Sequence, residues 1–336
     1  MESLKENIVP RVCLLLRDNI VRNDNLFGLP SKVKGGWAEG LNLPRRHERL
    51  LFAGCGYQFM AYLEPLLEKI RGLEEKGISV ERTLSLTMGF RKLGLNIPSL
   101  LSKVKPKEDP YRQVLLETVE ILRRLGVEFA YLGEEEPCCG SPLYYLGFLE
   151  AFERKAAEAS KRLGEAGVRE VVGLVPACTS SLKNLHPKFV KQNFEVKHVV
   201  EFLDEILESR PVRLSLNRTV TIHDPCQLAR FLEISKVLRS LLGKIEGLKV
   251  LEAPTSGEQA MCCGGGTGLE LIFPELSLRI AERRVRELLD TGASTIVTCC
   301  PGCLLQLKRG AKALNVNVEV LDVVQLVGEA LRGGRG

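Results

Sequence analysis

The sequence has no apolar run approaching the roughly 18–20 residues that a bilayer-crossing helix needs. Its nearest candidate, Val12-Cys13-Leu14-Leu15-Leu16, is short and flanked by Arg11, Arg17 and Asp18. No direct membrane span is expected, so membrane association would have to run through a partner subunit. The N-terminus lacks the marks of a signal peptide, because Glu2 and Glu6 precede the apolar stretch and no small-residue cleavage site follows. The expected location is cytoplasmic. Also missing is a Lys/Arg block interleaved with aromatics: 47 basic and 42 acidic residues are mixed along the chain, with a net charge of +5 and 6% aromatic content. That balance gives no reason to expect nucleic acid as a partner. The single tryptophan, Trp37, is expected to anchor the N-terminal region onto the body rather than to touch a substrate.

Cysteine, by contrast, is in excess. Eleven are present, six of them in the adjacent pairs 138/139, 262/263 and 299/300. A disulfide framework belongs to small secreted domains. A chain of 336 residues, 45% hydrophobic and 26% charged, can bury cores without such staples. Adjacent thiols suit shared metal ligation better than separate cross-links.

The cysteines follow a pattern written twice. Cys226 is followed after 35 residues by Cys262-Cys263-Gly264-Gly265, and after 36 more by Cys300-Pro301-Gly302-Cys303. Upstream stand Cys55, then Cys138-Cys139-Gly140, then Cys178-Thr179-Ser180-Ser181. The first upstream gap is 82 residues, so an insertion near 73–110 is expected. Hydrophobic periodicity predicts short strands at 50–53, 127–132, 170–175, 195–197, 219–222, 249–252, 294–298 and 317–320. Helices are predicted between them, among others at 4–21, 59–72, 111–125, 142–163 and 276–289. The expected fold class is α/β: two pseudo-symmetric α/β domains, each with a mostly parallel sheet flanked by helices, plus an N-terminal arm. The arm is expected over 1–48, the first domain over 49–210 and the second over 211–336. Sites in such sheets lie beyond the carboxyl ends of the strands, so each set of thiols is expected to converge at one sheet edge.

Thiolates are soft ligands for iron–sulfur clusters, zinc or cuprous copper. Zinc is satisfied by four ligands, whereas the second half offers five: Cys226, Cys262, Cys263, Cys300 and Cys303. Cys299 lies opposite Ala177 in the repeat and Cys13 lies outside it, so neither is expected to be an essential ligand. Glycine after the 138/139 and 262/263 pairs lets backbone pass close to a cluster and aim amides at sulfur.

The doubled layout of Cys, Cys-Cys-Gly and Cys-x-x-Cys resembles the cysteine-rich (CCG) domain family. That family includes heterodisulfide reductase catalytic subunits and iron–sulfur subunits of lactate, glycolate and glycerol-3-phosphate oxidation systems. The resemblance covers about residues 50–331, and the arm around Asn25-Leu26-Phe27-Gly28 and Trp37-Ala38 is similar to the segment preceding the first domain in the membrane-linked reductase subunit. It implies a non-cubane [4Fe-4S] cluster on Cys226, Cys262, Cys263, Cys300 and Cys303, at which a small disulfide is split one electron at a time. In the first copy Ser181 replaces the last thiol, leaving Cys55, Cys138, Cys139 and Cys178. Those four suit an ordinary [4Fe-4S] relay, a non-cubane cluster short of one ligand, or an empty site. The C-x-x-C-x-x-C-x-x-x-C-P run of ferredoxin modules is absent. The implied partners are therefore a ferredoxin-type iron–sulfur subunit and a membrane cytochrome b or a flavoprotein.

Two further readings stand beside a disulfide oxidoreductase: an electron-transfer subunit of an organic-acid dehydrogenase, and a non-redox zinc protein. His223 is a candidate catalytic residue, able to protonate a departing thiolate, against the plainer reading that it caps its turn. Lys183, His186 and Lys188 are expected on a solvated face, and Glu134–Glu136 in a solvated turn.

Overall fold

The computed structural model describes residues 9–74, 109–210 and 212–334; nearly all of the expected insertion near 73–110 lies outside them. Two parallel sheets carry the fold. In the first, β1 (Arg49–Phe52), β2 (Glu170–Gly173) and β3 (Glu195–His198) pair in that order. In the second, β4 (Leu214–Ile222), β5 (Ile245–Leu251), β6 (Thr295–Thr298) and β7 (Glu319–Asp322) take the order β5-β4-β6-β7. The inner strands β2 and β6 are short, β-branched and almost wholly buried, as parallel sheets require, and the last three residues of β4 are buried with them.

Helices return the chain between strands: α1 (Arg11–Asn23), α2 (Gly54–Glu74), α3 (Pro110–Arg124), α4 (Ser141–Tyr145), α5 (Leu149–Glu165), α6 (Pro176–Ser180), α7 (Val199–Ser209), α8 (Ser235–Gly243), α9 (Pro274–Leu289), α10 (Pro301–Ala313) and α11 (Val323–Gly333). Several elements depart from the sequence expectation; β4 and β5 begin at 214 and 245 rather than at 219 and 249. The strand expected at 127–132 shrinks to one parallel bridge, Leu50 with Ala130, because Tyr131 gives its amide to Pro44 of the arm and the ladder ends there. The helix expected over 142–163 breaks between α4 and α5, where Gly147 adopts φ 82°. β7 starts two residues late, because Val316 still donates to the Ala311 carbonyl to close the preceding helix.

With the bridge counted, both sheets have one order. β3 and β7 end in matching caps: His198 and Asp322 accept from the amide two residues on, while Glu201 and Gln325 reach back to the cap amide. One apolar core runs through both halves. α3 meets α11 through the Glu117–Arg332 ion pair, and the Tyr57 hydroxyl on α2 donates to Asp322 at 2.5 Å. A smaller cluster of Ile20, Leu143, Phe152 and Leu185 seats α1 on the first half. Among the described residues no helix is long and apolar enough to cross a membrane.

Candidate metal centre

Each cysteine turn follows a strand or bridge of its sheet, so the thiols gather at the carboxyl edge. In the second half the sulfurs follow one another as a chain of interacting neighbours, from Cys226 to Cys262, Cys263, Cys303 and Cys300. The Cys263–Cys303 link measures 3.3 Å. In the first half the chain runs from Cys55 to Cys138, Cys139 and Cys178. Ser181, where a fifth thiol would stand, is fully buried and donates to the Cys139 carbonyl at 2.9 Å. Cys13 is buried in α1, and Cys299 is buried beside Cys300 but outside the sulfur chain. All eleven thiols are free.

Five crowded thiols cannot all ionise unaided. Cys226 and Cys263 are pushed up, first by Cys262 and then by burial, and Cys303 is pushed up by its neighbours Cys263 and Cys300 and by burial. Cys262 is pulled down by hydrogen bonds from Cys226 and Cys263 and by the Gly264 amide, which lies 3.4 Å from its sulfur. Cys300 stands at the N-cap position of α10 and is pulled down by Cys303 and by the nearby helix-start amides of Cys303 and Gly302. A soft cation would relieve the remaining repulsion, so the donor set suits a thiolate-bound metal. Five sulfurs exceed what a single zinc takes.

The surrounding shell is built as carefully as the thiols. Gly264 takes φ 83°, and a Cβ there would lie 2.4 Å from the Ser277 carbonyl. Its own carbonyl accepts from Ser277 Oγ at 2.6 Å and Gln306 Nε2 at 2.9 Å. Asp224, buried beside Cys226, forks with Arg239 at 2.7 and 3.0 Å and accepts from the Gly257 amide, tying the Cys226 and Cys262 turns together. His223 is fully buried. Burial holds its imidazole neutral, down to about 3, with the Arg284 charge adding. Its Nδ1 accepts from Arg284 Nε at 3.1 Å. One ring nitrogen lies within 4.8 Å of the Cys263 and Cys303 sulfurs.

The arm also enters the first site. The Leu26 amide lies near Cys55 and favours its thiolate, and Asp24 accepts from the Cys138 amide at 3.0 Å. Asp24 in turn binds Lys34, Lys155 and Arg162 at 2.9–3.1 Å. Trp37 is buried, packs against Tyr131 with ring centres 4.8 Å apart and planes tilted by 52°, and donates to its hydroxyl. Two surface expectations are corrected. Glu134 and Glu135 are exposed, but Glu136 is buried, caps the start of α2 through the Ala53 and Gly54 amides, and is pushed up to about 8 by burial. His186 is likewise buried, with Nε2 at 2.9 Å from the Cys139 carbonyl, while Lys183 pairs with Glu201. A charge triplet and a Lys/His run look solvated in sequence; only the fold turns one member of each inward. Asp24, Leu26, Glu136 and Arg284 gave no motif of their own.

Fold and site together define a duplicated α/β protein with a convergent thiol set at the edge of each sheet. The chain belongs to the cysteine-rich (CCG) domain family, whose pattern matches residues 103–183 and 220–308, about half of the chain. It is 36% identical to one subunit of the dihydromethanophenazine:CoB–CoM heterodisulfide reductase of Methanosarcina mazei, over 66% of this chain and 56% of that protein. It is 31% identical to an EtfAB:quinone oxidoreductase of Syntrophomonas wolfei, over 67% of this chain and 33% of that protein. It is 25% identical to lactate utilization protein A 1 of Bacillus mycoides, over 67% of this chain and 94% of that protein. The chain spans about half the length of the heterodisulfide reductase subunits that it matches.

Proposed function

We propose that this protein is an iron–sulfur oxidoreductase subunit of the heterodisulfide reductase type, working on a small disulfide or dithiol within a multi-subunit complex. The observation that carries the reading is the five-sulfur chain of the second half. Cys226, Cys262, Cys263, Cys300 and Cys303 would hold a non-cubane [4Fe-4S] cluster. Cys55, Cys138, Cys139 and Cys178 would hold an ordinary one serving as a relay. Such clusters supply one-electron chemistry at sulfur when bound.

The protein's own part is to fix the sulfurs and their charge. The Gly264, Gly302 and Cys303 amides are aimed at Cys262 and Cys300, where negative charge would otherwise accumulate. Cys226, Cys262 and Cys300 are partly exposed while Cys263 and Cys303 are buried, leaving an open side on which a small disulfide could approach. Electrons would come from a ferredoxin-type partner, and from a membrane cytochrome b or a flavoprotein behind it. The alternative, a pure electron-transfer subunit of a lactate, glycolate or glycerol-3-phosphate oxidation system, draws on the Bacillus mycoides relative, at the lower identity of 25%.

Anaerobic purification with iron and sulfide analysis tests the first step, since zinc without sulfide would end the redox reading. Electron paramagnetic resonance of the oxidised protein with and without a small thiol then separates the two redox readings. A signal that appears only with thiol supports disulfide chemistry; identical spectra favour the relay role.

A further inference from the structure

Resting on the proposed cluster in the second half, we infer that His223 neither ligates iron nor delivers a proton, but is a fixed hydrogen-bond donor to the sulfurs of that site, with Arg284 as the residue that positions it. A guanidinium has only N–H donors. Arg284 Nε points one of them at His223 Nδ1 over 3.1 Å. Nδ1 must therefore present its lone pair, and the neutral imidazole must carry its proton on Nε2. Arg284 cannot swing away to permit the other tautomer. It is fully buried, and its Nη1 is held by the Thr255 carbonyl, the Thr255 hydroxyl and Glu287, at 2.8–3.0 Å.

Nε2 is buried and has no hydrogen-bond partner among the described residues. The imidazole stands within 4.8 Å of the Cys263 and Cys303 sulfurs and close to Cys262. A buried N–H without an acceptor is costly; no cysteine sulfur stands within hydrogen-bond reach of Nε2, so its acceptor would be a sulfur of the bound cluster. An Nε2 that carries the proton has no lone pair to offer iron. A histidine ligand usually donates its second N–H to an acceptor, and Arg284 supplies the reverse. As a proton donor the ring would have to become an imidazolate, or begin as an imidazolium facing a guanidinium.

A donor to sulfur stabilises the more negative, reduced state of a cluster, so its removal lowers the reduction potential. In the reconstituted full chain, His223→Leu is expected to keep its iron and sulfide. Its second-half reduction equilibrium constant should fall on the order of tenfold, about 59 mV for a one-electron couple. His223→Gln, which places an amide N–H near the Nε2 position, should restore most of the shift. Arg284→Met should reproduce the shift and Arg284→Lys should reduce it. Unchanged potential in His223→Leu overturns the inference. So does a folded His223→Gln, judged by circular dichroism, that loses the second-half iron, since that marks a ligand. Should His223→Leu itself fail to fold, the Gln variant decides alone: a potential close to that of the unaltered protein supports a donor, and the full downward shift overturns it. If the unaltered chain takes up no iron at all, the cluster reading fails first and independently.

Discussion

Cys263 and Cys303 lie at the buried centre of the five-sulfur chain, so each should matter more than any cysteine outside it. Cys263→Ala is expected to lower bound iron by about four per chain after anaerobic reconstitution. Cys13→Ala and Cys299→Ala are expected to leave iron unchanged, and iron analysis of the three variants checks both statements. Asp24 carries a different load. It is the anion shared by Lys34, Lys155 and Arg162, and it also takes the Cys138 amide. Asp24→Ala would leave the Lys34 ammonium, its side chain 3% exposed, with the Glu136 carbonyl but no carboxylate, and Lys155, 6% exposed, with Glu158 in place of two carboxylates. Breaking a buried ion pair from one side costs about 3–5 kcal/mol. Urea denaturation should show a loss approaching that order.

At the scale of elements, the turns after the 138/139 and 262/263 pairs work because Gly140 and Gly264 adopt a conformation that side chains resist. Gly264→Ala would need φ 83° with a Cβ 2.4 Å from a carbonyl oxygen. A loss of roughly 1–3 kcal/mol is expected, together with displacement of the Gly264 amide from Cys262, and denaturant melting with iron analysis would show both. Gln306→Leu removes one of two donors to the Gly264 carbonyl and should cost about 1 kcal/mol.

The cap of α11 gives a pH prediction. Burial raises the Asp322 carboxyl from its ordinary 3.8 to about 6. A raised carboxyl favours the fold fully below the unfolded value, and that contribution is lost as pH climbs from about 3.8 through about 6. Denaturation at pH 4.5 and 7 should show this loss, on the order of 2 kcal/mol. Asp322→Asn, which keeps an N-cap acceptor, should remove that part of the slope; an unchanged slope would place the titration elsewhere.

The whole molecule is held by a core that does not stop at the boundary between its halves. Tyr57 of one half bonds Asp322 of the other, and Glu117 pairs with Arg332. The halves should therefore unfold together. Trp37, the single tryptophan, sits on the first half against Tyr131, so its fluorescence reports that half, whereas far-ultraviolet circular dichroism reports helices throughout. Coincident urea curves from the two probes are expected. Separate midpoints would mean two independently folding domains, as the boundaries 49–210 and 211–336 by themselves suggest.

Spacing and periodicity made the duplicated α/β plan legible, because a parallel strand is a short β-branched run and a metal-binding turn is a cysteine beside glycine or proline. Those are local choices, and a chain writes them in order. The repeat also separated Cys13 and Cys299 from the thiols that the structure draws together. What sequence left open depends on contacts between residues far apart in the chain. Tyr131 lost its strand because Pro44 took its amide, and Glu136 and His186 turned inward because buried amides and a carbonyl needed partners there. The tautomer of His223 was decided by an arginine 61 positions away. Hydrogen bonds in a dry interior must be satisfied by whatever group the fold brings within reach, and no local pattern records which group that will be.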